Sequence, residues 1–388
     1  MKKQIPSNTA PISALTLDGQ PLNSLSGERD YFKASKSSQH LSAGAVSRHF
    51  IMALAIAGSA FMASPGAQAA DNSVNVYSYR QAFLIDPLIK AYQQKTGVRV
   101  KVVFAKKGLL QRLKAEGRNS PADVMLTADI NQMAEFDAQN LLQPIRSALI
   151  DSNIPAQFRD PNAMWTGLTM RARAIYTDKK RVKPGEVTSY EDLARPALKG
   201  RVCTRSGKHP YNVSLLASVI AAKGEADAET WLRGVKANLA RRPQGNDRAQ
   251  VKSIQQGECD VALGNSYYFG KMITNDKKPE QKKWAGAVNI VFPNQNDRGT
   301  HVNVSAGAIT KSAKHYQGAV KFLEFLSSDK AQAIYAAANF EYPLKKGVPL
   351  DPLVASWGTF KADARNLSEI VAQHTAAAKM MDRVGFDQ

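Results

Sequence analysis

Short apolar segments alternate with helix-forming segments along most of this chain, and this alternation limits the possible folds more than any other feature. Residues 98–104 alternate as a strand does, and residues 109–116 have helical spacing and end before Gly117. Residues 121–126 are typical of a buried strand, and a helical segment follows at 130–139. Strands that alternate with helices of about ten residues indicate an α/β fold with mixed, mostly parallel sheets.

The same pattern continues to the C-terminus and predicts two lobes joined by crossing strands. The first lobe is predicted at 70–171, the second at 172–298, and a return to the first at 299–345. C-terminal helices at 346–388 are expected to pack on the second lobe. In open α/β sheets, ligands bind beyond the carboxyl ends of the strands.

The first 69 residues are typical of a leader rather than of a folded domain. Residues 50–63 form a short apolar run, with Arg48 before it and the small-residue motif Ala67-Gln68-Ala69 after it. A basic flank, an apolar core and an A-x-A end are the features of a secretory signal peptide. We therefore expect cleavage near Ala69 and a periplasmic protein.

The chain is strongly basic, with 52 Lys and Arg against 33 Asp and Glu, a net charge of +19. Removing the leader leaves 46 against 30, or +16, so the charge belongs to the mature protein. Such an excess favours an anionic partner: nucleic acid, a membrane surface or a small ligand. Nucleic acid is disfavoured, because the basic residues are dispersed without interleaved aromatic residues.

The two cysteines, Cys203 and Cys259, both lie in the mature part. An even pair in an exported chain favours a disulfide. The sequence contains no C-x-x-C motif, and it lacks the common motifs of hydrolases and nucleotide-binding proteins. An exported, two-lobed chain without such motifs is more typical of a binding protein than of an enzyme.

Three segments combine tyrosine with loop-forming residues at strand ends: 77–81, 205–212 and 264–270. A phenolate is a hard oxygen donor that suits Fe³⁺. The adjacent Tyr267 and Tyr268 would point to opposite faces of a strand, but both could face one site from a loop or a first helical turn. Packing in the core or at its rim is the alternative for this pair.

Four motifs, at 76–81, 122–129, 205–212 and 265–268, resemble those of the periplasmic ferric-iron-binding proteins of ABC importers. This family belongs to the type 2 periplasmic binding protein superfamily, and the resemblance covers residues 72–385. It implies a two-lobed α/β fold and an inner-membrane ABC permease as partner. It also implies a monomer that is not an enzyme.

The resemblance assigns site residues to matching positions. Tyr211, Tyr267 and Tyr268 match tyrosines that ligate Fe³⁺, and Arg80 matches an arginine that holds a synergistic anion, often carbonate. Some relatives add a His or Tyr ligand from the first loop, where this chain has residues 81–83, Gln-Ala-Phe. The chain therefore resembles the three-tyrosine branch.

Alternatives remain at this point. Arg80 could form an ion pair on the surface or between the lobes, and the same fold could bind a small anion such as phosphate, a sulfonate or thiamine phosphate. His209 is interpreted as a loop residue, and Arg171 and Arg173 as solvated charges beside the hinge. A secreted enzyme would need a nucleophile–base pair, which the sequence does not indicate.

Overall fold

The computed structural model describes residues 72–388 and the backbone of one small hairpin, in which Thr16–Leu17 and Gln20–Pro21 pair antiparallel. The predicted signal peptide at residues 50–69 lies outside the described residues. Within residues 72–388, no helix is both long and apolar enough to cross a membrane.

Ten strands of the 72–388 part carry the architecture. They are β1 (Ser73–Ser78), β2 (Arg99–Phe104), β3 (Val124–Thr127), β4 (Leu142–Gln143), β5 (Thr166–Asp178), β6 (Val202–Cys203), β7 (Val261–Asn265), β8 (Val288–Val291), β9 (Val302–Thr310) and β10 (Tyr342–Pro343).

Helices fill most of the connections between these strands. They are α1 (Ala82–Thr96), α2 (Leu109–Glu116), α3 (Ile130–Ala138), α4 (Ala148–Asn153), α5 (Pro210–Lys223), α6 (Glu225–Ala237), α7 (Asp247–Gln256), α8 (Tyr267–Ile273), α9 (Glu280–Gly286), α10 (Tyr316–Leu326), α11 (Asp329–Asn339), α12 (Pro352–Ala355), α13 (Leu367–Ala372) and α14 (His374–Val384).

Local sequence explains where several of these helices begin and end. The chain leaves α1 through Gly97, which has a φ of 69°. Asp129 caps α3 by accepting a hydrogen bond from the backbone N–H of Asn131 at 2.9 Å. Near the C-terminus, the backbone N–H of Gln373 bonds to the Ile370 carbonyl and closes α13, so α13 and α14 are separate helices.

One long strand belongs to two sheets. In β5, residues up to Ala172 pair with β9, in a sheet of order β2-β1-β3-β9-β5. From Arg173 onward, β5 pairs with β7 and β8, in a sheet of order β8-β5-β7-β6. The chain thus passes from one sheet to the other at Ala172 and Arg173. The lobe boundaries themselves stay a prediction.

The α/β class is confirmed, but the expectation of mostly parallel sheets is wrong. Parallel pairing within residues 72–388 is limited to β1 with β2, β1 with β3, and β6 with β7. The antiparallel ladders all involve β5 or β9. β5 and β9 pair antiparallel with each other and with every other strand beside them, so antiparallel pairing predominates.

Close packing supports the strand that leads to α8. Gly264 of β7 lies against the ring of Tyr176, where an added Cβ would come within 2.2 Å of a ring carbon. The Tyr176 hydroxyl donates a hydrogen bond to the Asn265 carbonyl at 2.9 Å. The glycine therefore allows the ring to cover the strand and to fix its last residue.

The predicted disulfide is present and joins Cys203 at the end of β6 to Cys259 just before β7. Both cysteines are buried in a small apolar cluster with Val251 and Met272, separate from the larger core. The bond therefore closes a segment of the chain that contains α5, α6 and α7.

The disulfide should contribute substantially to stability. Because the cysteines are 56 residues apart in sequence, replacing both by Ala should lower the free energy of unfolding by about 4 kcal/mol on the chain-entropy model. Denaturant unfolding with and without dithiothreitol measures this. The oxidised and reduced protein should differ, whereas the double variant should not respond to the reductant. Equal stability of the oxidised and reduced forms would contradict the prediction.

Candidate functional site

A cavity of about 370 Å³ is lined by all four residues predicted as metal or anion ligands: Arg80, Tyr211, Tyr267 and Tyr268. The nearest of the three tyrosines, Tyr211, is 131 residues from Arg80 along the chain. The fold therefore brings the predicted set together in one place.

The tyrosine pair sits where β7 ends and α8 begins. Tyr267 and Tyr268 are the first two residues of that helix, and their ring centroids are 4.2 Å apart. Neighbours on a helix diverge by about 100° rather than the 180° of a strand. The first helical turn, one of the two arrangements expected from the sequence, thus lets both rings face the cavity.

Tyr211 reaches the same point from the start of α5. Its hydroxyl oxygen lies 3.3 Å from that of Tyr267. His209 caps α5, because its Nδ1 accepts a hydrogen bond from the Tyr211 N–H at 3.2 Å. Burial, and then the charge of Arg205, lowers the pKa of His209 to about 4. The imidazole therefore remains a neutral acceptor at neutral pH, and it has a capping role that the sequence did not indicate.

The tyrosines lie in an environment that opposes ionisation. Burial, followed by the neighbouring Tyr211 and Tyr268, raises the pKa of Tyr267 well above its usual value of 10.0. Burial also raises the pKa of Tyr268. Both phenols are therefore protonated at neutral pH, and a strongly charged cation is needed to displace their protons.

Arg80 is 5% exposed and forms an ion pair with Glu341, with Nη2 and Oε1 3.2 Å apart. Its Nε has no hydrogen-bond partner among the described residues. Glu341 also accepts hydrogen bonds from Thr169 and Asn339. This ion pair is neither of the two kinds considered from the sequence, because it is buried and both residues fall in the ranges predicted for the first lobe. The guanidinium Nε takes no part in it.

The expectation that Arg171 and Arg173 are solvated is wrong, since they are 3% and 2% exposed. They lie on either side of Ala172, where β5 passes from one sheet to the other, so their side chains are buried between the two sheets. Arg173 Nη1 lies 2.5 Å from Asp247 Oδ1, and Arg205 pairs with the other oxygen of Asp247. This pairing was not predictable from the sequence, because Asp247 is distant along the chain.

Sequence reasoning also missed three charged residues that line the large cavity: Arg248, Lys271 and Glu341. Lys271 follows Tyr267 by four residues, so helical spacing could have located it. Its Nζ lies 5.2 Å from the centroid of the Tyr267 ring, and burial lowers its pKa to about 8. Arg248 lies over the Tyr268 ring at 4.9 Å.

A match to a family model covers residues 119–362 and has the description "bacterial extracellular solute-binding protein". The chain belongs to this family. It is 43% identical to iron uptake protein A1 of Synechocystis over 329 residues, which are 83% of this chain and 91% of the relative.

Solved structures show that this solute-binding protein has the two-lobed type 2 periplasmic binding fold. A ferric iron-binding protein A of Mannheimia haemolytica in an open conformation is 50% identical, with a TM-score of 0.78 over 82% of this chain and 99% of that one. A Trichodesmium protein in complex with iron and citrate is 42% identical, with a TM-score of 0.78 over 81% and 99% of the two chains.

The donor set of the solute-binding protein is unusual for a metal site. In the 72–388 part, no group of three His, Cys, Asp or Glu side chains could hold a metal ion. The oxygen donors that line the cavity include instead the phenols of Tyr211, Tyr267 and Tyr268 and the carboxylate of Glu341. These are hard ligands, which favour highly charged cations.

Removing the carboxylate behind the site should destabilise the protein strongly. Asp247→Asn leaves the buried Arg173 and Arg205 without their counter-charge, so the free energy of unfolding should fall by about 3–5 kcal/mol. Burial opposes ionisation of Asp247, but the two arginines outweigh it and lower its pKa. The contribution is therefore present at neutral pH and is lost in acid.

Asp276→Asn is the matched control, because Asp276 is 88% exposed and pairs with Lys282. An exposed pair contributes at most about 1 kcal/mol. Denaturant unfolding at neutral pH compares the two variants. If both variants lost the same free energy of unfolding, the buried carboxylate would contribute no more than an exposed one, and the prediction would be wrong.

Proposed function

We propose that this protein is the periplasmic solute-binding component of a ferric-iron ABC importer. The observation that carries the proposal is the convergence of Tyr211, Tyr267 and Tyr268 in one cavity, with the hydroxyls of Tyr211 and Tyr267 3.3 Å apart. The iron uptake and ferric iron-binding relatives support it.

Charge and ligand hardness favour Fe³⁺ as the cargo. Three phenolates balance its three positive charges, so a bound anion would leave a negative complex. Arg80 is the proposed anion-binding residue, with carbonate as the anion, because its buried Nε has no partner among residues 72–388. The bond to Glu341 would hold the guanidinium in position for this role.

The cavity wall favours anionic forms of iron. Arg80, Arg171, Arg248 and Lys271 line it, and Glu341 is the acidic side chain beside them. Such a wall concentrates anions near the tyrosines and repels free cations. The excess of positive charge on the mature protein is therefore proposed to serve capture of ferric complexes with small anions.

Ligand capture would use closure of two lobes about β5. Arg80 precedes this strand and the tyrosines follow it, so a ligand that contacts both would stabilise a closed form. The proposed carrier acts as a monomer, without catalysis, after export and cleavage near Ala69. Its closed form would deliver iron to an inner-membrane permease.

Binding of iron should colour the protein. With Fe³⁺–citrate, the purified protein should show a visible absorption band from tyrosinate-to-iron charge transfer, since ionised phenols would be direct ligands. The double variant Tyr267→Phe/Tyr268→Phe should lose the band. Tyr316→Phe, whose hydroxyl donates to the Pro144 carbonyl instead, should retain it. A colourless unaltered protein would refute iron binding through tyrosine.

Iron binding should also release protons. Because the pKa values of Tyr267 and Tyr268 are raised, each phenol that binds iron must lose a proton, and affinity should rise about tenfold per pH unit for each proton released. Calorimetry with Fe³⁺–citrate in buffers of different ionisation enthalpy counts these protons.

Tyr268→Phe should release one proton fewer than the unaltered protein, whereas Tyr316→Phe should release the same number. If Tyr268→Phe and the unaltered protein released equal numbers, Tyr268 would not bind iron as a phenolate.

A further inference from the structure

A second, small cavity lies behind Tyr211, at the point where β5 changes sheets. Its volume is about 10 Å³, room for a single water-sized particle. Arg171 and Tyr211 line both this cavity and the large one. The small cavity is further lined by Arg173, Asn265 and His301.

Four buried polar atoms of these lining residues lack a hydrogen-bond partner within the described part of the chain. They are Arg171 Nη1, Arg173 Nε, Asn265 Nδ2 and His301 Nδ1. All four side chains belong to residues that are 3% exposed or less. Leaving a buried donor unpaired is costly, so four such atoms among the residues of one cavity indicate an occupant.

The hydrogen-bonding capacity of these atoms favours an acceptor over water. The arginine nitrogens and the Asn265 amide nitrogen can only donate, and Asn265 Oδ1 already accepts from Arg173 Nη1 at 3.1 Å. His301 Nδ1 can donate as well if Nε2 accepts from Ser214 Oγ, 3.1 Å away. A water molecule accepts only two hydrogen bonds, whereas a monatomic anion can accept all four.

Local charge points the same way. Two guanidiniums, Arg171 and Arg173, line the cavity, and a third, Arg205, shares Asp247 with Arg173. Arg171 lies 4.0 Å from Asp129. Two carboxylates therefore face three permanent positive charges. Burial, and then Arg298 and Arg173, lowers the pKa of His301 to about 3, so the imidazole adds no charge at neutral pH. One monovalent anion would balance the group.

We propose that this small cavity is a binding site for a halide ion, chloride under ordinary conditions. A volume of about 10 Å³ is too small for carbonate, phosphate or a carboxylate, so the site is separate from the one proposed at Arg80, and a halide would fill it closely. The halide would hold Arg171 and Arg173 on either side of the sheet change. It does not depend on iron, so its test is independent of the proposed transport function.

Crystals of the unaltered protein soaked in bromide test the location directly. Bromide scatters anomalously, and a peak between Arg171, Arg173, Asn265 and His301 is the expected result. Density at that point without an anomalous signal would identify water and overturn the proposal. Peaks confined to the protein surface, an adventitious ion only, would overturn it equally.

Thermal unfolding in sodium chloride against sodium gluconate, at equal ionic strength and pH, tests the site in solution. Above the dissociation constant, each tenfold rise in chloride should raise the folded-to-unfolded ratio about tenfold. Asn265→Asp removes a donor and adds a negative charge without changing shape, so it should abolish the chloride dependence.

The exposed Asn289→Asp changes net charge equally and should keep the chloride dependence. If the unaltered protein unfolded at the same temperature in both salts, the proposal would fail, whatever the stability of Asn265→Asp.

Discussion

A single strand that serves two sheets is the constraint on which the rest of the structure depends. Because β5 gives Ala172 to one sheet and Arg173 to the next, the side chains around this point are enclosed by both sheets. Charged groups there must be paired, and the triad of Arg173, Asp247 and Arg205 meets that need. Asp247 also links the start of one element to the end of another, since it is the first residue of α7 and accepts a hydrogen bond from the N–H of Asn265, the last residue of β7.

The three candidate tyrosine ligands come from helix starts, whereas Arg171 reaches the cavity from a strand. Tyr211 is near the start of α5, and Tyr267 and Tyr268 begin α8. His209 caps α5, and α8 follows β7 with only one residue between them, so the phenols are placed by well-defined backbone. The chemistry then follows from environment: burial keeps the phenols of Tyr267 and Tyr268 neutral, and the surrounding cations favour an anionic partner for any metal that ionises them.

Much of this was predictable where the signal is local. The helix at 109–116 begins and ends as expected, because Gly108 and Gly117 mark its ends. The disulfide was predictable because the chain has two cysteines. The buried state of Arg171 and Arg173 was not, since it depends on Asp129 and Asp247 and on a strand shared by two sheets. Antiparallel pairing was missed for a related reason: strand periodicity does not reveal direction. The roles of the tyrosines and of Arg80 remain proposals.

The contact between Gly264 and Tyr176 has a consequence for how the sequence can drift. Any side chain at 264 would meet the ring at 2.2 Å, and a smaller residue at 176 would lose the hydroxyl that holds the Asn265 carbonyl. Neither position can change alone without moving the backbone that carries the tyrosine pair. Among divergent relatives, the two positions should therefore be inherited as a unit, and a substitution at one should be accompanied by a substitution at the other.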